Sequence, residues 1–245
     1  ETLEERLIAE NGWSDKTLVS YPTLGQGGNQ LVCIYQHENG YQGLAAVGFS
    51  GGTLEDVFRW ENSDEKLGHI QGATAGDFAV SFVIGPDRQN DPEESFEHRA
   101  RAWKVEVRSG KFEPLLVMPP GHRATHEFWG PDGRLYFHKK TVPSWTPTSI
   151  ASIDIGGGDF QEHYASEDRK LGHSSISPDC KRIVSDVQDS SGNELIEVDL
   201  ETGEGEILCW PDSSVANGLT GHVHPAYDYS GQRVIYTSDV AGKAA

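Results

Sequence analysis

No apolar run in this 245-residue chain approaches the roughly 18 residues that a membrane-spanning helix needs. Cysteine is scarce. Cys33, Cys180 and Cys209 are odd in number and form no C-x-x-C pair, so neither a disulfide framework nor a zinc knuckle fits. A reduced, cytoplasmic chain is the expectation, with the periplasm as the alternative. Positive charge is also in short supply, with 20 Lys and Arg against 38 Asp and Glu and a net charge of −18. Nucleic acid and anionic membrane are therefore unsuited partners. The opening Glu1-Thr2-Leu3-Glu4-Glu5-Arg6 is charged where a signal peptide needs an apolar stretch. Helix-period stretches are few, and no phosphate-binding loop or dinucleotide fingerprint occurs. Nothing in the composition indicates an oligomeric state.

What the chain does have is glycine, 28 residues of it, and 12 prolines, distributed as turns between short β-like runs. Five turns recur about every 50 residues. They are Gly25-Gln26-Gly27-Gly28, Thr74-Ala75-Gly76-Asp77, Gly130-Pro131-Asp132-Gly133, Ser177-Pro178-Asp179 and Tyr229-Ser230-Gly231. An apolar strand follows each: Leu31–Tyr35, Phe78–Ile84, Leu135–Phe137, Ile183–Ser185 and Val234–Tyr236. In the first four repeats a second hairpin follows, turning at Ser50-Gly51-Gly52, Ser109-Gly110, Gly156-Gly157-Gly158 and Glu201-Thr202-Gly203-Glu204. Two hairpins make four antiparallel strands, A to D, and radially packed blades of this size predict an all-β β-propeller.

The spacing predicts blades over about 14–61, 66–118, 123–166 and 170–210, with partial blades at 1–10 and 219–245. Glu1–Ala9 parallels Glu201–Cys209 and reads as a lone strand D, and Lys243-Ala244-Ala245 reads as a stub. A propeller removes its strand edges by closing. The expectation is thus an incomplete ring, with the remaining blades upstream, downstream or both.

In such a blade the D-to-A and B-to-C connections share one face. Histidines gather there, each expected where a strand A opens: His69, His126, His173 and the pair His222 and His224. His126, His173 and His224 precede the last residue of their turn motifs (Asp132, Asp179, Ser230) by 6 residues, which predicts equivalent positions on successive blades. A lone histidine such as His69 usually serves as a structural hydrogen-bonding group. Several converging imidazoles suit a divalent metal instead, and the H-x-H spacing puts His222 and His224 on one side of a strand. Two long B-to-C loops, Gly85–His98 and His138–Ser149, are expected to wall a groove on this face. Arg99 and Arg101 read as the start of a strand C beside the first. Trp145 lies in the second, where its ring is a candidate for stacking on a sugar or for anchoring the loop. Gly48-Phe49-Ser50-Gly51-Gly52 matches a G-x-S-x-G elbow, but strand D follows it rather than a helix, so it is set aside.

Thr125-His126-Glu127-Phe128-Trp129-Gly130-Pro131-Asp132-Gly133 resembles a stretch of the oligogalacturonate lyases, polysaccharide lyases with a seven-bladed propeller. The resemblance continues through Gly172-His173-Ser174-Ser175-Ile176-Ser177-Pro178-Asp179, Asp199-Leu200-Glu201-Thr202-Gly203-Glu204 and His222-Val223-His224-Pro225. It implies about five of seven blades here, with about two upstream. It also implies a carbon–oxygen lyase of pectin degradation, cleaving oligogalacturonate or a related uronide by metal-assisted β-elimination to an unsaturated product. The partner would be an acidic oligosaccharide. The family binds manganese through three histidines and a glutamine, and His173, His222 and His224 stand at the histidines. The glutamine position is Leu219, which cannot ligate, leaving water or Asn217 as the fourth ligand. His126 matches the family's base and Arg101 its catalytic arginine, with Arg99 as the competing alignment. Arg99, Trp145 and His69 are the substrate-binding candidates. Two alternatives stand beside this: a non-catalytic propeller that binds a protein or glycan, and a lyase for a different uronic acid polymer.

Overall fold

The structure is a computed structural model that describes residues 13–20, 22–25, 29–62, 64–73, 79–85, 88–89, 91, 99–188, 194–213 and 222–238. All regular structure among the described residues is β, and no helix is long and apolar enough to cross a membrane. The chain divides into two compact units, Glu1–Val117 and Met118–Ala245.

In the first unit, β1 (Lys16–Leu18), β2 (Thr23–Gly25), β3 (Gln30–His37), β4 (Gln42–Gly48) and β5 (Glu55–Trp60) form one antiparallel sheet. Both short strands β1 and β2 pair with β3, so the strand A position is split in two. The second sheet runs β6 (Lys66–Gly72), β7 (Ala79–Gly85), β8 (Ala102–Glu106) and β9 (Phe112–Leu116) in sequence order. Strand β3 shows why its apolar run is unbroken. Alternate side chains of a strand point to opposite faces, and here both faces are covered. Val32 and Ile34 join Leu44, Phe58, Trp103 and Val105 in the core shared with the second sheet, while Cys33 and Tyr35 pack with Ala45, Val47 and Leu54 on the other side.

The second unit holds two four-stranded meanders and a hairpin. The first is β10 (His122–Trp129), β11 (Leu135–Thr141), β12 (Thr148–Ile153) and β13 (Gln161–Ser166). The next is β14 (Leu171–Ile176), β15 (Arg182–Val187), β16 (Glu194–Asp199) and β17 (Gly205–Cys209), and the hairpin is β18 (Ala226–Tyr227) with β19 (Val234–Ile235). Tyr136 and Ile150 of one meander pack on Leu171, Ile183, Val187 and Ile196 of the next. Val184 and Leu195 then pack on Val223, Tyr227 and Val234. The A–B turns are held by acids that accept backbone N–H groups: Asp132 from Arg134 (3.1 Å), Asp179 from Lys181 (3.2 Å) and Asp228 from Gln232 (3.1 Å).

Three of the sheets are thus four-stranded antiparallel meanders, and the first is a five-stranded sheet in which β1 and β2 share one side of β3. Two boundaries differ from expectation. The second B-to-C loop is only 142–147, because β11 runs on to Thr141; His138 is inside that strand and fully buried. Arg99 and Arg101 precede β8 rather than starting it. The expected strand over residues 1–9, the turns at 26–28 and 74–77, and the stub at 243–245 lie outside the described residues.

Candidate functional site

The histidines do not open their strands. His69, His126 and His173 each sit at a β-bulge inside one, while His222 and His224 precede β18. Register breaks between Gly68 and Gln71 on β6, between Thr125 and Phe128 on β10, and between Leu171 and Ser174 on β14. His69, His126 and His173 occupy those breaks. A bulge leaves a residue unpaired and re-aims its side chain. His69 (φ 48°), His126 (φ 53°) and His224 (φ 44°) hold left-handed backbone. That conformation costs a residue with a Cβ about 1–2 kcal/mol, and such cost persists where the surroundings impose it, commonly at functional sites.

In the second unit five imidazoles come together, and two of them, His126 and His173, sit at bulges. His138 and His126 lie 5.6 Å apart by ring centroids, and His126 and His173 lie 4.5 Å apart. His173 stacks on His224 at 3.6 Å, with His222 at 5.3 Å. One ring nitrogen from each of His173, His222 and His224 lies within 4.8 Å of the other two. Burial and the neighbouring His173 hold the His224 pKa below the usual histidine value, which keeps its lone pair available.

Asp186, on β15 and 1% exposed, organises this cluster. Its carboxylate accepts the backbone N–H of His173 (2.6 Å) and that of His224 (3.3 Å), joining two successive sheets. It also lies 3.2 Å from Nδ1 of His173. The Gln188 amide nitrogen is 3.3 Å from the same Nδ1. One nitrogen cannot serve both, and the charge-assisted bond to the carboxylate is the stronger, so Nδ1 carries the proton. Nε2 is then left with its lone pair, the arrangement found behind metal-ligating histidines. Three nitrogen donors meeting in one place, one of them backed by a carboxylate, fit a divalent transition metal.

Behind His126, burial holds the His138 pKa well below the usual histidine value. Its Nε2 is 2.7 Å from the Ser174 hydroxyl on the next sheet. Two residues along the same face of β11 stands Lys140, 6% exposed, and opposite it in register on β10 is Arg123. Both cations rest against the indole of Trp145, with Arg123 Cζ at 5.5 Å and Lys140 Nζ at 5.3 Å. Trp145 stands in the 142–147 loop with φ 68° and is 38% exposed.

Of the residues singled out from the sequence, His126, His173, His222, His224 and Trp145 belong to the second unit, and the four histidines form one cluster. His69, Arg99 and Arg101 belong to the first unit. Asn217 and Leu219, and most of the loop before Arg99, lie outside the described residues. Sequence reasoning missed Asp186, Lys140 and Arg123. Asp186 did carry a signal: it is the one acid in the apolar strand Ile183-Val184-Ser185-Asp186-Val187. Lys140 shows nothing in sequence that distinguishes it from the surface lysine beside it.

No family model matches the sequence. It is 27% identical over 229 residues to an oligogalacturonide lyase of Pectobacterium atrosepticum, covering 82% of this chain and 53% of that protein. It is 24% identical over 172 residues to an oligogalacturonate lyase of Dickeya dadantii, covering 60% of this chain and 42% of that protein. The chain thus spans about half the length of these curated relatives. Among solved structures, an oligogalacturonate lyase in complex with manganese superposes with a TM-score of 0.82 at 20% identity, covering 99% of this chain and 67% of that one. The fold is that of a β-propeller with four-stranded antiparallel blades.

Proposed function

We propose that this chain, a relative of the oligogalacturonate lyases in sequence and in fold, is part of a lyase that cleaves oligogalacturonate or a related uronide by β-elimination. The observation that carries this is the meeting of His173, His222 and His224 around the Asp186 carboxylate, with His126 beside them. The names of the relatives, one of them solved with manganese, support the same conclusion. A merely binding propeller needs no such cluster.

His173, His222 and His224 would hold a divalent cation, manganese by analogy. When bound, it supplies Lewis acidity toward the substrate carboxylate, making the proton on the adjacent C5 acidic enough to remove. Asp186 holds the His173 ring with its lone pair outward. His126 accepts the C5 proton on an imidazole nitrogen. The C–H electron pair becomes the C4=C5 double bond, the C4–O4 bond breaks, and O4 leaves with a proton from solvent. On the resemblance alone, Arg101 is assigned the stabilising of the developing negative charge, and Arg99, His69 and Trp145 the binding of the rest of the saccharide. A net charge of −18 does not forbid an anionic substrate, because charges beyond about 8 Å are screened at physiological salt. The odd, unpaired cysteines favour a reducing, cytoplasmic location.

The test is ultraviolet absorbance of the unsaturated product on a panel of uronides, with the full-length protein and added manganese. Product from galacturonate oligomers is the expected outcome. A protein that cleaves none of the panel would reject the lyase assignment.

A further inference from the structure

Of the five imidazoles in the cluster, His138 alone is fully buried, with 0% of it exposed. Its place is defined on two sides. In the ladder it stands opposite Thr125, the last residue of β10 in register before the bulge that carries His126. Toward the next sheet its Nε2 lies 2.7 Å from the hydroxyl of Ser174. Ser174 is the first residue of β14 back in register after the bulge that carries His173. One side chain thus spans the gap between the two bulges, whose imidazoles lie 4.5 Å apart. The His138 ring also meets His126 edge-on, with the centroids 5.6 Å apart and the planes at 75°.

Burial keeps the His138 imidazole neutral, so it carries one N–H and one lone pair. Its Nδ1 has no hydrogen-bond partner among the described residues. A buried N–H is seldom left without an acceptor, which places the proton on Nε2, donating to Ser174. Away from water such a bond is electrostatically stronger and its loss more costly. An apolar side chain would fill a fully buried position without needing any partner, so packing alone does not account for an imidazole there. The left-handed backbone of His126 (φ 53°) must in turn be imposed by its surroundings, and His138 is part of them.

The geometry points to His138 as a positioning residue: through its bond to Ser174 it fixes the His126 imidazole relative to His173. This rests on the lyase reading above, in which His126 takes the C5 proton, and deepens it. A base must stand within hydrogen-bond reach of the proton it removes, while the cation must meet the carboxylate on that same carbon. Both requirements hold together only if β10 and β14 keep one spacing at their bulges, and the His138–Ser174 bond joins the two strands at that level.

The experiment uses the full-length manganese-loaded protein and galacturonate trimers. Ser174→Ala deletes the acceptor with little change in volume, and Ser174→Thr restores a hydroxyl. Ser174→Ala is expected to lower kcat about 10- to 100-fold, since a displacement of about 1 Å costs a factor of that order. KM and manganese affinity should stay near wild type, and Ser174→Thr should recover most of the turnover. His138→Phe keeps a flat ring without the N–H and should reproduce Ser174→Ala, and the two changes together should cost no more than either alone. A second readout needs no turnover. In the NMR spectrum of the protein loaded with diamagnetic zinc, the nuclear Overhauser contact between the His126 and His173 rings should weaken in Ser174→Ala and return in Ser174→Thr. Wild-type kcat in Ser174→Ala would overturn the positioning role. So would a loss of manganese affinity as large as the loss of kcat, since Ser174 would then serve His173 alone. If no uronide is cleaved, or if His126→Ala keeps wild-type turnover, the lyase reading or its base fails separately. The ring contact then decides: its weakening in Ser174→Ala supports the positioning of His126 by His138, and its persistence rejects it.

Discussion

Asp186 and His138 are the residues on which the cluster depends without belonging to its donor set. Asp186→Asn keeps the shape but removes the charge that holds the proton on Nδ1 of His173. Partners of this kind are commonly worth a 10- to 100-fold change in metal affinity, so manganese binding measured by calorimetry should weaken by about that factor. His126→Ala should do the opposite: manganese affinity stays close to normal and turnover falls by about 10²–10⁴-fold, because a proton acceptor acts in the transition state. His138 is neutral in the folded chain, its pKa well below the usual 6.5, with burial as the main cause. The unfolded chain therefore binds more protons below pH 6.5, and stability falls as pH drops through that region and is complete above it. His163, also depressed by burial, acts in the same direction. Melting temperature should decline below about pH 6.5, with a shallower decline in His138→Gln.

At the scale of the element, the bulge is what matters. A regular strand would alternate its side chains and could not send His126 and Glu127 out of register with their neighbours. The left-handed backbone of His126 makes a sharp prediction. Once the imidazole is removed, glycine should suit the position better than alanine by about 0.5–1 kcal/mol. Urea denaturation should then find His126→Gly more stable than His126→Ala, with both inactive. Gly172 is the other control point on β14. A Cβ there would overlap the Asp186 carboxylate and sit 2.5 Å from the Gln188 amide nitrogen. Asp186 is buried and cannot swing away, so Gly172→Ala should cost manganese affinity even though the residue touches no donor.

For the whole molecule, the acidic excess sets the terms. A net charge of −18 destabilises the compact state by self-repulsion. Screening should offset part of this, so melting temperature is expected to rise when salt goes from about 0.01 M to about 0.15 M, as the Debye length shortens from about 30 to about 8 Å. All of the histidine cluster, together with Asp186, Lys140, Arg123 and Trp145, lies within the unit Met118–Ala245.

The repeat of glycine turns and apolar strands was enough to determine an all-β propeller of antiparallel sheets, because turn chemistry and period-two burial are local properties. Equal spacing from the turn motifs also singled out His126, His173 and His224, whose rings the second unit brings together. The bulges were not legible, since an extra residue in one strand is defined only against its partner strand. Nor was the burial of His138 inside β11, which turned an expected loop residue into a strand residue. The role of Asp186 and the burial of Lys140 depend on which side chains from other strands surround them. Those neighbours are distant in sequence, and only the packing of one sheet on the next brings them together.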